Sequence, residues 1–243
     1  VLNWFRPAKK STSGIPLTVD VHSHLLPGLD DGVQTEEEAL GVISFLQELG
    51  YRKLITTPHV ISDSYRNTPE SITSSLHNLR SELSNRNISI TVDAAAEYYL
   101  DELLFQQVEQ GIPLLTFGSK HLLFETNFMT EPLVLRQFIF NLTTQGYKPI
   151  LAHPERYMYI QSDFSKAEDL YHRGVLFQLN LCSITGYYSK PAQAVACKLI
   201  DRGWVHLVGS DCHNLKQAQL LTHVRTNSYY KKVIALPLLN YAL

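Results

Sequence analysis

Short apolar runs alternate with stretches of helical periodicity seven times along this chain of 243 residues. Strands and helices in strict alternation build a parallel sheet with the helices packed outside it. The first run ends at His22; the others span Lys53–Thr57, Ile88–Ala95, Leu122–Phe124, Pro149–Ala152, Val175–Leu179 and Trp204–Val208. They are short and rich in branched aliphatics, as strands buried on both faces should be. Helix signals fill the gaps. Thr35-Glu36-Glu37-Glu38 is a capping box, followed by Ala39, Val42, Ile43, Leu46 and Leu49 at helical spacing and by Gly50 past the end. Thr68-Pro69-Glu70 opens the next helix with proline in its first turn, and the apolar stripe runs through Leu83. Further helices are expected near Leu100–Gln110, Pro132–Gln145, Lys166–His172 and Ala192–Arg202. No linker or shift in composition divides residues 17–243, so one α/β domain is expected, a closed or nearly closed (β/α) barrel. A doubly wound open sheet is the alternative, though no G-x-G-x-x-G or P-loop pattern stands at any βα junction. Residues 1–16, polar and basic with Gly14 and Pro16, read as a flexible tail.

The residues that follow the strands carry the chemistry. His22, His24 and Asp31 follow the first, His59 the second, Glu97 the third, Glu125 the fourth and His153 the fifth, with Asp211 and His213 after the last. Nine ligand-type side chains thus occupy six of seven strand ends. In a barrel those ends converge on one face, where active sites form. In His22-Ser23-His24 the two imidazoles share one side of a strand. The D-x-H spacing of Asp211–His213 mirrors it, and the first and last strands of a barrel are neighbours. Imidazole with carboxylate is a ligand set for zinc, manganese or iron. Five histidines and four carboxylates exceed the needs of one ion, so two or three are implied. Bridged ions would lie roughly 3.5–4 Å apart with a hydroxide between them. Three divalent ions would outweigh the four carboxylates, and a locally positive site suits phosphate. Arg156, three residues after His153, can fork two phosphate oxygens; a surface salt bridge is the competing reading.

Other residues carry less. Asp20 and Asp30 read as turn residues or supports beside the ligands. Glu155 reads as a loop acid, Asp93 is unassigned, and His121, His172, His206 and His223 read as structural or surface residues. The net charge of -2 argues against a nucleic-acid partner. Three cysteines, Cys182, Cys197 and Cys212, do not form a disulfide framework; they suggest packing roles in a reducing cytoplasm. The C-x5-R motif of thiol phosphatases is absent. Neither a membrane-length apolar run nor a signal-peptide pattern is found. Oligomeric state is left open.

Read together and in order, DVHSHLLPGLDDG, TTPH, the Glu97 and Glu125 segments, AHPERY and GSDCHN resemble the PHP (polymerase and histidinol phosphatase) superfamily, from about Leu17 to Asn214. Within it, the pattern is most similar to the bacterial manganese-dependent protein-tyrosine phosphatases of capsule and exopolysaccharide operons. The resemblance implies a distorted (β/α)7 barrel with a metal cluster at the C-terminal ends of its strands. It implies that His22, His24 and Asp211 hold one ion and that Glu97 bridges it to a second, completed by Glu125 and His153. Asp31, His59 and His213 would hold a third. Manganese is the implied metal, with iron or zinc as alternatives. Arg156 matches the phosphate-binding arginine. Many members carry a second arginine shortly after D-x-H-N; here Asn214-Leu215-Lys216-Gln217-Ala218 offers only Lys216, a point charge rather than a fork. The implied reaction is phosphomonoester hydrolysis by a metal-bridging hydroxide, with Arg156, Asp31, His59 and His213 as the catalytic set. The implied substrate is a phosphotyrosine protein such as a bacterial tyrosine autokinase. Two other readings are a small-molecule phosphatase, such as histidinol phosphatase, and a non-catalytic metal-binding regulatory domain.

Overall fold

The computed structural model describes residues 16–243, so the expected tail lies outside the described residues apart from Pro16. The strands are β1 (Val19–Asp20), β2 (Lys53–Thr56), β3 (His59–Val60), β4 (Thr91–Ala94), β5 (Glu97–Tyr99), β6 (His121–Glu125), β7 (Lys148–Ala152), β8 (Leu176–Asn180) and β9 (Leu207–Gly209). The helices are α1 (Glu36–Glu48), α2 (Pro69–Asn85), α3 (Glu102–Glu109), α4 (Leu135–Thr144), α5 (Met158–Ser162), α6 (Ser165–His172), α7 (Lys190–Arg202), α8 (Leu215–Val224) and α9 (Ser228–Ile234). Local chemistry explains the starts. Thr35 and Glu38 cap α1 reciprocally, and Thr68 does the same for α2 with Ser71, while Pro69 occupies the first turn where no N–H is needed.

All the strand pairs are parallel, in a three-stranded piece, β1-β2-β4, and a six-stranded piece, β3-β5-β6-β7-β8-β9. The alternation predicts one unbroken sheet, and the interruption has a local cause. β2 and β3 belong to one segment, split at Thr57-Pro58, and Pro58 has no N–H to give to a ladder. β4 and β5 are split in step at Ala95-Ala96. Backbone bonds still cross the gap, from Ala95 N to Thr56 O (2.9 Å) and from Glu97 N to Pro58 O (3.0 Å). The first and last segments also meet. Ser23 and Cys212 form a parallel bridge, flanked by bonds from Asp211 N to His22 O (2.8 Å) and from His24 N to Cys212 O (2.9 Å). The outcome is an α/β fold around a curled parallel sheet.

Several expected boundaries move. The run at Ile88 contributes a strand only from Thr91, because Ile88 N bonds back to Leu83 O at 2.9 Å and closes α2. The last strand begins at Leu207 rather than Trp204, whose N–H returns to Leu199 O at 3.0 Å. Helices α5, α8 and α9 lie outside the expected set.

Alternation along the strands separates two apolar cores. Leu122, Phe124, Leu151 and Leu179 pack with the helices in the larger one. Val19, Val21, Ile55, Leu123, Ile150, Ala152 and Leu207 form a smaller one supplied mainly by strand residues. With both faces buried, the strand ends are held at fixed spacing, and polar side chains there can be aimed at one another.

Candidate metal centre

All nine strand-end residues come together. Glu97 is at the centre and fully buried. Its Oε2 lies 3.0 Å from His22 Nε2, 3.4 Å from His24 Nε2 and 3.2 Å from His59 Nδ1, and its Oε1 lies 3.0 Å from His153 Nε2. Asp211 Oδ1 lies 3.5 Å from His22 Nε2 and 3.3 Å from His24 Nε2. Glu125 Oε1 is 3.1 Å from His59 Nδ1. Asp31 Oδ1 is 3.6 Å from His59 Nε2 and 3.5 Å from His213 Nε2. Four overlapping groups have ligand atoms within 4.8 Å of one another: His24, Asp31, His59 and His213; His22, His24 and Asp211; His22, Glu97 and His153; and His59, Glu97 and Glu125. His22, His24 and His59 therefore each reach two groups, whereas the resemblance gave each of them to one ion.

Backbone conformation contributes to the convergence. His153 (φ 34°) and Asp211 (φ 52°) are left-handed, a conformation that non-glycine residues adopt at a cost. The turn at each strand end swings these side chains inward. Two glycines make room. A Cβ on Gly32 would lie 2.2 Å from His24 O, and one on Gly209 would lie 2.6 Å from His22 Cβ.

The donor set fits cations. His59 Nδ1 is buried and points between carboxylate oxygens of Glu97 and Glu125, yet forms no hydrogen bond with either. At Glu97, Asp211, His22 and His24 burial opposes charge, but the groups overrule it by facing one another. The histidines around Glu97 and Asp211 hold both well below the usual carboxylate range. Burial would lower His22, but Glu97 and Asp211 keep it raised to about 9. His24 is likewise held well above its ordinary value against burial by its bonds to Asp211, Asp30 and Glu97. Carboxylates that retain so much positive charge on imidazoles favour a metal ion in place of those protons. His153 goes the other way, lowered by burial and by Arg156.

A cavity of 450 Å³ opens above the cluster, lined by Asp31, His59, Glu125, His153, Asp211 and His213 together with Arg156, Tyr65, Phe128 and Tyr188. Arg156 is no surface salt bridge. Its Nη1 donates to Asp211 Oδ2 at 2.8 Å, and its guanidinium lies 4.8 Å from the Phe128 ring centre and 4.3 Å from that of Tyr188. Asn180 Nδ2 donates to the same Asp211 oxygen at 2.7 Å. Asp211 thus offers one oxygen to the cluster and the other to the protein. Lys216 is exposed in the first turn of α8 and lines a neighbouring hollow with Asp31, His213 and Asn214, not the cavity that holds Arg156.

Glu155 is not a loose loop acid: it is fully buried and accepts bonds from Ser183 Oγ (2.6 Å) and Asn180 N (3.1 Å). Asp20 supports the last segment, accepting from Ser210 N at 2.8 Å. Asp93 pairs with Lys53 at 2.9 Å, away from the site. Gln178, Asn180, Phe128 and Tyr188 were not candidates in the sequence. None is a metal ligand by type at a strand end in a histidine-bearing motif, and only their positions in space bring them here.

A curled parallel α/β sheet with a buried histidine–carboxylate cluster under an open cavity defines a candidate metal-dependent hydrolase. The family model for capsular polysaccharide synthesis, CpsB/CapC, matches residues 18–232, and the chain belongs to that family. It is similar to the tyrosine-protein phosphatase YwqE of Bacillus subtilis (strain 168), with 29% identity over 202 residues, 82% of this chain and 78% of YwqE. It is also similar to the putative tyrosine-protein phosphatase CapC of Staphylococcus aureus, with 25% identity over 224 residues, 88% of this chain and 86% of CapC. A crystal structure described as one of YwqE from Bacillus subtilis and CpsB from Streptococcus pneumoniae, unique metal-dependent tyrosine phosphatases, matches with a TM-score of 0.80 and 27% identity, covering 90% of each chain.

Proposed function

We propose that this chain is a metal-dependent phosphatase that hydrolyses phosphotyrosine in proteins of capsular polysaccharide synthesis. The observation that carries the reading is the convergence of nine ligand-type side chains, from six separate segments, beneath one cavity that also presents Arg156. The unit is a single domain over residues 17–243, read as a distorted seven-unit barrel with the metals at the C-terminal ends of its strands. His22, His24 and Asp211 would hold one ion, Glu97 would bridge to a second with Glu125 and His153, and Asp31, His59 and His213 would hold a third. Divalent ions there, with manganese preferred over iron or zinc, would polarise a phosphoryl oxygen and activate water near neutral pH. Arg156 is positioned to neutralise oxygens of the transferring phosphoryl group. Its cation–π contacts with the Phe128 and Tyr188 rings and its bond to Asp211 hold the guanidinium in place at the cavity wall.

The cavity lining favours a tyrosyl ester over histidinol phosphate, since the aromatic side chains Tyr65, Phe128 and Tyr188 border it beside the metal positions. Among the described residues no helix is long and apolar enough to cross a membrane. We place the protein in the cytoplasm, where three free cysteines stay reduced, with a tyrosine autokinase as its proposed partner.

The test compares phosphotyrosine peptide with histidinol phosphate after manganese reconstitution, beside elemental analysis of protein purified without chelator. Two to three ions per chain, peptide turnover and its loss on chelation are expected. A fully active sample with a single ion would defeat the cluster, and preferred turnover of histidinol phosphate would defeat the substrate class.

A further inference from the structure

We infer that Asp30 and Gln178, neither of them a candidate ligand, are positioning residues that set the H-x-H pair toward the metals. The inference rests on the metal-centre reading above. The two residues do the same task from different parts of the chain. Gln178 Oε1, from the middle of β8, accepts from His22 Nδ1 at 2.8 Å and from the backbone N–H of His153 at 3.3 Å. Asp30 Oδ2, in the turn after the first segment, accepts from His24 Nδ1 at 2.7 Å and from the backbone N–H of His59 at 3.0 Å. Each therefore ties the ring of one histidine to the main chain of a ligand from another segment.

The bonds also select the tautomer. Ionised Asp30 can only accept, so His24 carries its proton on Nδ1. The orientation of the Gln178 amide is set by its neighbours: the His153 N–H needs an acceptor, and Gln178 Nε2 donates to Leu179 O at 3.0 Å. His22 accordingly carries its proton on Nδ1 as well. Both Nε2 atoms are thereby turned inward, 3.3 Å apart and facing Glu97 and Asp211, so these are the nitrogens on which a metal ion would take the place of a proton. Both supports are buried, and Asp30 is pinned in turn by Gly32 N, which donates to its Oδ1 at 2.9 Å. Partners that orient ligating histidines in this way typically contribute 10–100-fold to metal affinity.

The test measures binding of manganese alone by chelator competition in the full chain. Gln178→Leu and Asp30→Ala delete the acceptor; Gln178→Glu and Asp30→Asn keep one. The deleting variants should bind manganese about 10–100-fold more weakly, and the keeping variants should stay within a few-fold of wild type. Equal affinities in all four, or equal losses in all four, would overturn the assignment. Wild-type protein loaded with zinc, which is diamagnetic, provides a readout that needs no variant. Nitrogen NMR should show Nδ1–H and a metal-bound Nε2 for both His22 and His24, and the opposite tautomer at either would overturn it. A wild type that binds neither metal would overturn the metal centre itself, a result distinct from any of these.

Discussion

Ser23 pairs in parallel with Cys212, so the middle residues of H-x-H and D-x-H share one rung between the first and last segments. The flanking ligands, His22 and His24 on one side and Asp211 and His213 on the other, are brought face to face by that single register. Cys212 is therefore buried between ligands, and it donates to Asn214 O at 3.2 Å instead of facing the cavity.

Thiol chemistry is not expected at any of the three cysteines. Burial pushes the Cys182 thiol up to about 12 and raises Cys212 further, the reverse of an activated nucleophile. Single Cys→Ser variants at 182, 197 and 212 should keep kcat/KM within a few-fold, with about 1–2 kcal/mol lost at the buried pair. Loss of turnover in a variant that melts like wild type would point back to a thiol mechanism.

Arg156→Ala should lower kcat/KM on a phosphotyrosine peptide roughly a hundredfold, about 3 kcal/mol of transition-state stabilisation. Asp211 Oδ2 would still accept from Asn180, so metal content should survive. Arg156→Lys should not rescue, because an ammonium can neither fork two oxygens nor reproduce a planar guanidinium's contacts with the Phe128 and Tyr188 rings. Steady-state kinetics beside a metal assay checks this; wild-type kinetics in either variant would remove Arg156 from the site.

Two glycines should respond in opposite directions to alanine. At Gly209 the new methyl would lie 2.6 Å from His22 Cβ and 2.7 Å from Gln178 Nε2, so the variant should bind manganese at least about tenfold more weakly. At Gly41, inside α1, nothing lies within 4 Å, and alanine should stabilise by roughly 0.5–1 kcal/mol. Chelator competition and melting curves measure the two effects.

Acid sensitivity has a component outside the metal site. Burial lowers His206 to about 4, and its Nδ1 accepts from the Phe177 backbone N–H at 3.0 Å. A histidine lowered from 6.5 in the unfolded chain favours the neutral form. Its contribution is whole above about pH 6.5 and is lost as pH falls toward 4. The shift from 6.5 to about 4 corresponds to about 3 kcal/mol. Between pH 7 and pH 4, metal-free wild type should lose roughly 5–10 °C more in Tm than His206→Gln. Parallel acid profiles for the two proteins would remove His206 as the cause.

The sequence by itself determined the alternation of strands and helices, the caps of α1 and α2, and the placing of nine ligand-type residues at strand ends. Those are short-range properties: hydrophobic period, capping chemistry and the offset of a side chain from the end of its own strand. The division of the sheet at Pro58 was present in the sequence too, but its effect depended on the neighbouring segment breaking in step at Ala95-Ala96. What only the tertiary structure decided is which groups face one another across segments. Arg156 and Asp211 are 55 residues apart in sequence, and His22 and Gln178 are 156 apart. Lys216 follows Asp211 by five residues and yet lines a different hollow, because α8 turns it away. No local pattern encodes such pairings. They follow from the register in which a curled parallel sheet brings its first segment against its last, and that register is set by burial on both faces of every strand at once.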